Sequence, residues 1–233
     1  MTNAYDEPAG IAPRGTVIVA AGRGETAAAY QRFGRRIAAD GYRVRVLPDV
    51  AANPAESLAA AEKLLVDDGS PAPRVVVGSD TGALFALALA RRRVPGLDAV
   101  VLAGLLAPGS AGVDLPDWPD ELEARTACPA HRGVLAAGAV TPGALSVARI
   151  PIELIGDKED VTIPTLGLHG DADPISPLAV ARDAYPGPVT VIAGGRHDIL
   201  NDVTHRTVAA TVILFLERLR LGADLPVIAR AAA

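Results

Sequence analysis

A chain of 233 residues, half of them hydrophobic, with a formal net charge of -5, is long enough for one α/β domain with its own core and carries no basic surplus for nucleic acid or an anionic membrane surface. Its single cysteine, Cys128, excludes an internal disulfide framework, and the start M-T-N-A-Y-D-E-P lacks the basic and apolar regions of a signal peptide. The most apolar stretch, 208–216, is interrupted by Thr211 and falls short of the roughly 20 residues that span a bilayer, so a cytoplasmic protein is expected.

Strand-like and helix-like segments alternate, the pattern of a mostly parallel sheet covered on both faces. Residues 16–21 read as the first strand. The stretch 25–40 has Ala29, Phe33 and Ile37 at helical spacing and stops at Gly41. A strand over 42–47 closes at Pro48. Asn53 as N-cap and Pro54 at the first helical position open a helix over 54–66. A strand over 74–77, a helix over 81–92 and a strand over 97–103 follow. From about 105 to 160 the rhythm breaks into Pro-, Gly- and Ala-rich sequence carrying D-W-P-D-E-L-E and then A-C-P-A-H-R-G-V-L. A segment this long is seldom structureless in a compact domain, so short helices forming a lid insertion are expected. A strand over 165–168, a helix over 178–185, a strand over 189–192 and a closing helix over 201–220 complete a single domain, 1–233. The ends, 1–14 and 222–233, are expected to be loose.

Residues 75–83 read V-V-V-G-S-D-T-G-A, a β-branched run that breaks into a Gly-flanked turn and then a helix. Small residues on both sides of such a turn let a sharp strand-to-helix bend display the central side chain at the carboxyl end of a sheet. Here the displayed residue is Asp80. After the 165–168 strand comes H-G-D-A-D-P-I-S-P, which presents Asp173; Asp171 competes with it but matches the spacing less well. After the 189–192 strand, A-G-G-R-H-D-I-L-N carries His197. The three side chains thus each follow a different strand, where open α/β sheets place their ligands.

With these motifs the chain resembles the α/β-hydrolase family over about 15–222. The matching pieces are A-A-G-R-G-E-T after the first strand, G-S-D-T-G at the turn, the Asp173 motif and G-G-R-H-D, in the family's order of nucleophile, acid, histidine. The resemblance implies an α/β-hydrolase fold whose first two antiparallel strands are missing or reduced to a tail. It implies Asp80 at the nucleophile position, Asp173 as the acid, His197 as the base, and the backbone N–H groups of Arg23 and Thr81 as the oxyanion hole. The Arg23 side chain is expected at the surface, the alternative being a guanidinium aimed at an anionic substrate.

Aspartate where serine is usual changes the chemistry. A carboxylate with an ordinary pKa of about 3.9 is already ionised at neutral pH, so His197 has no proton to take from it and would instead deprotonate a water that cleaves an ester formed on Asp80. Attack on a saturated carbon, as in an epoxide, gives a stable ester, whereas attack on an ester gives an anhydride. Epoxide-opening relatives use lid tyrosines as acids, and all four tyrosines here lie outside 105–160. His131 is the candidate replacement, and Trp118 the candidate lid residue above the substrate. The expectation is a hydrolase of a small, largely apolar molecule, without metal or organic cofactor. Asp80 as base in an esterase or lactonase, Asp80 merely capping its helix, and a silent binding protein on the same fold stay open. A small molecule is the expected partner, nucleic acid and membrane are not, and a homodimer stays open. Cys128 and His131 form a C-x-x-H pair that reads as ordinary packing without a second pair.

Overall fold

In the computed structural model, residues 3–107, 115–147, 149–156 and 161–230 are described. The β-branched runs become six parallel strands: β2 (Thr16–Ala20), β3 (Arg43–Leu47), β4 (Arg74–Ser79), β5 (Ala99–Ala103), β6 (Thr165–Gly170) and β7 (Val189–Ile192). A seventh strand, β1 (Asn3–Tyr5), pairs antiparallel with β3, giving one sheet in the order β1-β3-β2-β4-β5-β6-β7.

Because both faces are covered, the central strands are buried without alternation: every residue of β2 and β5 is out of water. Alternate residues divide the core into two layers. Val17, Val19, Val75, Val77 and Val101 pack with Phe33 and Ile37 of α1 (Gln31–Ala39) and Val208 and Val212 of α8 (His205–Leu221). Ile18, Ala20, Val76, Val100 and Leu102 pack with Ala61 and Leu65 of α2 (Pro54–Val66) and with α3 (Thr81–Arg91) on the other face. The α2 start is as expected, with the Asn53 side chain accepting from the Glu56 N–H at 3.3 Å. Among the described residues, no helix is long and apolar enough to cross a membrane.

The insertion folds into short helices: α4 (Trp118–Arg125), α5 (Pro129–Val134), a wide turn over Leu135–Ala139 and α6 (Ala144–Val147). Part of the stretch expected as lid, 108–114, 148 and 157–160, lies outside the described residues. After β6, α7 (Leu178–Ala181) and a 3-10 turn over Arg182–Ala184 fill the place of the expected 178–185 helix.

Three expectations are corrected. The helix expected from residue 25 starts at Gln31, after a 3-10 turn over Ala27–Tyr30. The Glu25 carboxylate accepts the Gly22 N–H at 2.9 Å and the Thr26 N–H bonds the Ala139 carbonyl at 2.8 Å, so these residues are tied to the loop and the insertion rather than to a helix. The closing helix starts at His205 instead of 201, because the Asp202 carboxylate gathers the Thr126 hydroxyl and the Ala127 and Arg196 N–H groups, and its chain segment turns to reach them. The ends are not loose throughout. Tyr5 of β1 lies over α1 so closely that a Cβ on Gly34 would come within 2.6 Å of its ring, and the Arg218 guanidinium holds the carbonyls of Leu225 and Pro226, each 3.0 Å from Nε. One short antiparallel strand therefore replaces the expected tail.

Candidate active site

β4 ends at Ser79 and α3 begins at Thr81, leaving Asp80 alone to make the reversal at φ 54° and ψ -120°, a conformation that side-chain-bearing residues rarely adopt. The flanking glycines are demanded by contact. A Cβ on Gly78 would lie 2.0 Å from the Gly82 carbonyl oxygen, and one on Gly82 would lie 2.0 Å from the Ala20 carbonyl oxygen. The Asp80 side chain makes no bond to its own helix, which disposes of the capping alternative. It projects instead toward the loops after β2, β6 and β7.

There the side chains expected to meet do so. His197 Nε2 lies 3.2 Å from Asp80 Oδ1, and His197 Nδ1 lies 2.8 Å from Asp173 Oδ2. Asp173 is oriented by its other oxygen, which accepts the N–H groups of Ile175 at 2.8 Å and Ser176 at 3.0 Å. Asp171 is elsewhere, holding the Gly194 N–H at 2.7 Å. His169 bonds the Ser176 carbonyl and the Tyr185 hydroxyl and serves the strand end. The Arg23 N–H donates to Asp80 Oδ2 at 2.9 Å. Thr81 stands at the head of α3 next to Asp80, and its buried hydroxyl has no partner among the described residues.

The Arg23 side chain corrects the expectation of a surface residue. It is only 1% exposed, and its guanidinium clamps Asp80 with Nη2 2.8 Å from Oδ1 and Nε 2.9 Å from Oδ2. Its Nη1 donates to the Leu145 carbonyl of the insertion at 3.1 Å. Asp80 is likewise 1% exposed. Burial by itself would raise the Asp80 carboxyl, but the Arg23 charge and the bonds from His197 and Arg23 hold it well below the usual carboxylate range. Asp173 is also lowered, against its burial, by the charge and hydrogen bond of His197. For His197, burial disfavours the charged ring, yet the charge and hydrogen bond of Asp173 and the bond to Asp80 push it up to about 10. The site at neutral pH is therefore two carboxylates interleaved with an imidazolium and a guanidinium, their four charges summing to zero.

Beside it lies a second buried cluster that sequence reasoning did not anticipate. Arg125 of α4 holds Glu121 at 3.0 Å, Glu25 at 3.4 Å and Asp198 at 3.6 Å, and donates to the Arg23 carbonyl at 3.0 Å. His131 Nε2 sits 3.3 Å from Asp198 Oδ2, so it belongs to this cluster and not above Asp80 as a lid acid. Burial and the neighbouring Asp198 charge raise Glu25 to about 7. Among the described residues, Glu25, His131 and Asp198 form the set whose donor atoms, all within 4.8 Å, could in principle hold a metal ion, but the Arg125 guanidinium already supplies positive charge to both carboxylates. Trp118 is partly buried against the core layer that contains α1 and α8. The signal for this cluster was present in G-R-G-E-T and in the aspartate directly after His197, but nothing local pairs either with Arg125, which is 100 residues from Glu25.

No protein-family model matches the chain, and no curated protein does. Solved structures do. A monoacylglycerol lipase from Paleococcus ferrophilus superposes with a TM-score of 0.67 at 16% identity, over 91% of this chain and 98% of the other. A soluble variant of monoglyceride lipase from Saccharomyces cerevisiae, in complex with a substrate analog, gives 0.70 at 14% identity, over 93% and 90%. The enol-lactonase from Burkholderia xenovorans LB400 gives 0.65 at 15% identity, over 93% and 96%. With its mostly parallel seven-stranded sheet, the chain has the α/β-hydrolase fold.

Proposed function

We propose that this chain is a hydrolase of small, largely apolar electrophiles, an epoxide or a chemical relative of one, working through a covalent ester on Asp80. One observation carries the reading: a single imidazole is hydrogen-bonded to Asp173 on one side and to the carboxylate of a strained turn on the other. Backbone strain of that kind costs on the order of 1–3 kcal/mol and persists where the surroundings hold it for a purpose.

Attack by Asp80 on an epoxide carbon forms the new C–O bond while the old one breaks on the side facing away from the carboxylate, so the departing oxygen takes its proton from a water on that side, and the hydroxide left behind takes the proton of His197. The ring is then neutral, and it takes a proton from the water that attacks the Asp80 ester. Collapse returns the carboxylate and the second hydroxyl of a diol, with the imidazolium restored, so one epoxide and one water give one diol. Asp173 keeps the ring in the orientation both steps need, and the Arg23 N–H at 2.9 Å favours charge on the Asp80 oxygen during the second. Apolar substrates are supported by the cluster of Leu106, Leu145 and Ile175: the Leu145 carbonyl touches Arg23, and the Ile175 N–H bonds Asp173.

Catalysis requires Asp80 to leave the Arg23 clamp, since both of its oxygens are occupied in this state. That same occupancy favours a second reading, a binding protein whose site is held shut. Single-turnover hydrolysis of a small aryl epoxide in heavy-oxygen water, followed by mass analysis of the peptide containing Asp80, tests the first. Label in that carboxylate is the expected result; unlabelled Asp80 in a preparation that makes the diol rules out the ester, and no turnover across a panel of such epoxides leaves the binding protein.

A further inference from the structure

A groove between α1 and α5 takes no part in the Asp80 site. Its volume is about 550 Å³, within the ~300–1,000 Å³ usual for sites that hold small molecules. Arg32, Arg35 and Arg36 line it from α1, and His131 and Val134 from α5. Residues three and four apart share a helix face, so the R-x-x-R-R spacing puts all three guanidiniums on one wall. Arg32 is anchored, with Nη1 3.4 Å from Cys128 Sγ and Nη2 on the Asn201 carbonyl. Arg35 and Arg36 are exposed, and neither has a hydrogen bond or ion pair among the described residues. Asp40 is the single acid in the lining.

His205, at the start of α8, is held below its ordinary value first by partial burial and then by the neighbouring Arg32, Arg36, Arg206 and His131. On a chain whose net charge is -5 this is a local reversal of sign, and neighbouring like charges left unneutralised cost stability.

We propose that this groove binds a small phosphorylated molecule, its phosphate held by Arg35 and Arg36 beside the anchored Arg32 and its neutral body lying against Ala28, Ala39 and Val134. Two free guanidinium forks offer more paired donors than one carboxylate can accept, and a phosphate monoester presents three acceptor oxygens and close to two negative charges. The concave shape and the acidic remainder of the surface suit a compact ligand and work against an extended polyanion or an anionic bilayer. This site is independent of the ester chemistry proposed for Asp80 and stands or falls separately.

Calorimetric titration of the full chain with phenyl phosphate, with phenol and phosphatidic-acid vesicles as comparators, tests the proposal. Saturable binding of phenyl phosphate is expected, with no binding of phenol. Arg35→Ala and Arg36→Ala should each raise the dissociation constant by about tenfold, equivalent to ~1.4 kcal/mol, with thermal midpoint and circular dichroism unchanged, and Arg36→Lys should lose less than Arg36→Ala. Binding that the substitutions do not weaken, vesicle binding without phenyl phosphate binding, or no saturable heat at all would each overturn it.

Discussion

Asp80 and Arg23 are locked to one another, and the energetic consequence is asymmetric. Removing one partner of a buried, hydrogen-bonded ion pair strands the other charge and typically costs about 3–5 kcal/mol, whereas replacing both by neutral groups is close to neutral. Arg23→Met should therefore lower the unfolding free energy by that order in urea titrations, and Arg23→Met with Asp80→Asn should recover most of it. If the double variant is as unstable as the single, the clamp is not what holds the two residues. Asp80→Asn also removes one of the two anions that keep His197 charged, so its titration midpoint, followed by NMR of the ring, should fall from about 10. The Asp80, Asp173 and His197 positions were legible in the sequence because each follows a strand and a glycine turn. Arg23 was legible only as a backbone donor. In G-R-G the two glycines speak for a loop, and nothing adjacent indicates that the arginine turns inward onto a carboxylate 57 residues later.

At the scale of elements, the sharpest constraint is the approach of α3 to β2. Gly82 sits where a methyl group would meet the Ala20 carbonyl at 2.0 Å, and backbone cannot step aside as a flexible side chain can. Gly82→Ala should cost at least the ~1–3 kcal/mol of an overpacked core, read as a fall in the thermal midpoint. Asn53→Ala, which removes an exposed cap from α2, should cost nearer 1 kcal/mol. Equal losses at the two positions would contradict the close packing of α3 on the sheet. The contrast also explains which element boundaries could be read in advance. α2 and β7 have their expected limits, since Asn53-Pro54 and the V-T-V-I run are local signals. The starts of α1 and α8 are set by the Thr26 N–H on the Ala139 carbonyl and by the Asp202 carboxylate on Thr126 and Ala127, partners that lie in the insertion, and long-range bonds of that kind leave no periodicity to detect.

For the whole molecule, the buried charges dictate how stability responds to pH. His197 is raised in the folded state from 6.5 to about 10, so its contribution is complete below about pH 6.5 and is lost as pH rises through 10. Glu25, raised from 4.5 to about 7, adds a further loss across that lower interval. Asp80 and Asp173 are lowered, so their contribution is present above the ordinary carboxylate range and disappears as pH falls below it. The urea midpoint should accordingly be highest near pH 5 and decline toward pH 10; a level profile between pH 7 and 10 would mean that His197 is not held as the imidazolium.

The interlock at Asp80 also bears on how this site could ever change. A single substitution of Asp80 by serine would recreate the residue usual at such turns but leave the Arg23 guanidinium buried without its carboxylate, and a substitution at Arg23 alone would strand Asp80. Each one-step route crosses a destabilised state, so the two positions are coupled: serine at this turn calls for two changes, and library screens that vary Asp80 together with Arg23 should recover stability that screens of Asp80 alone lose.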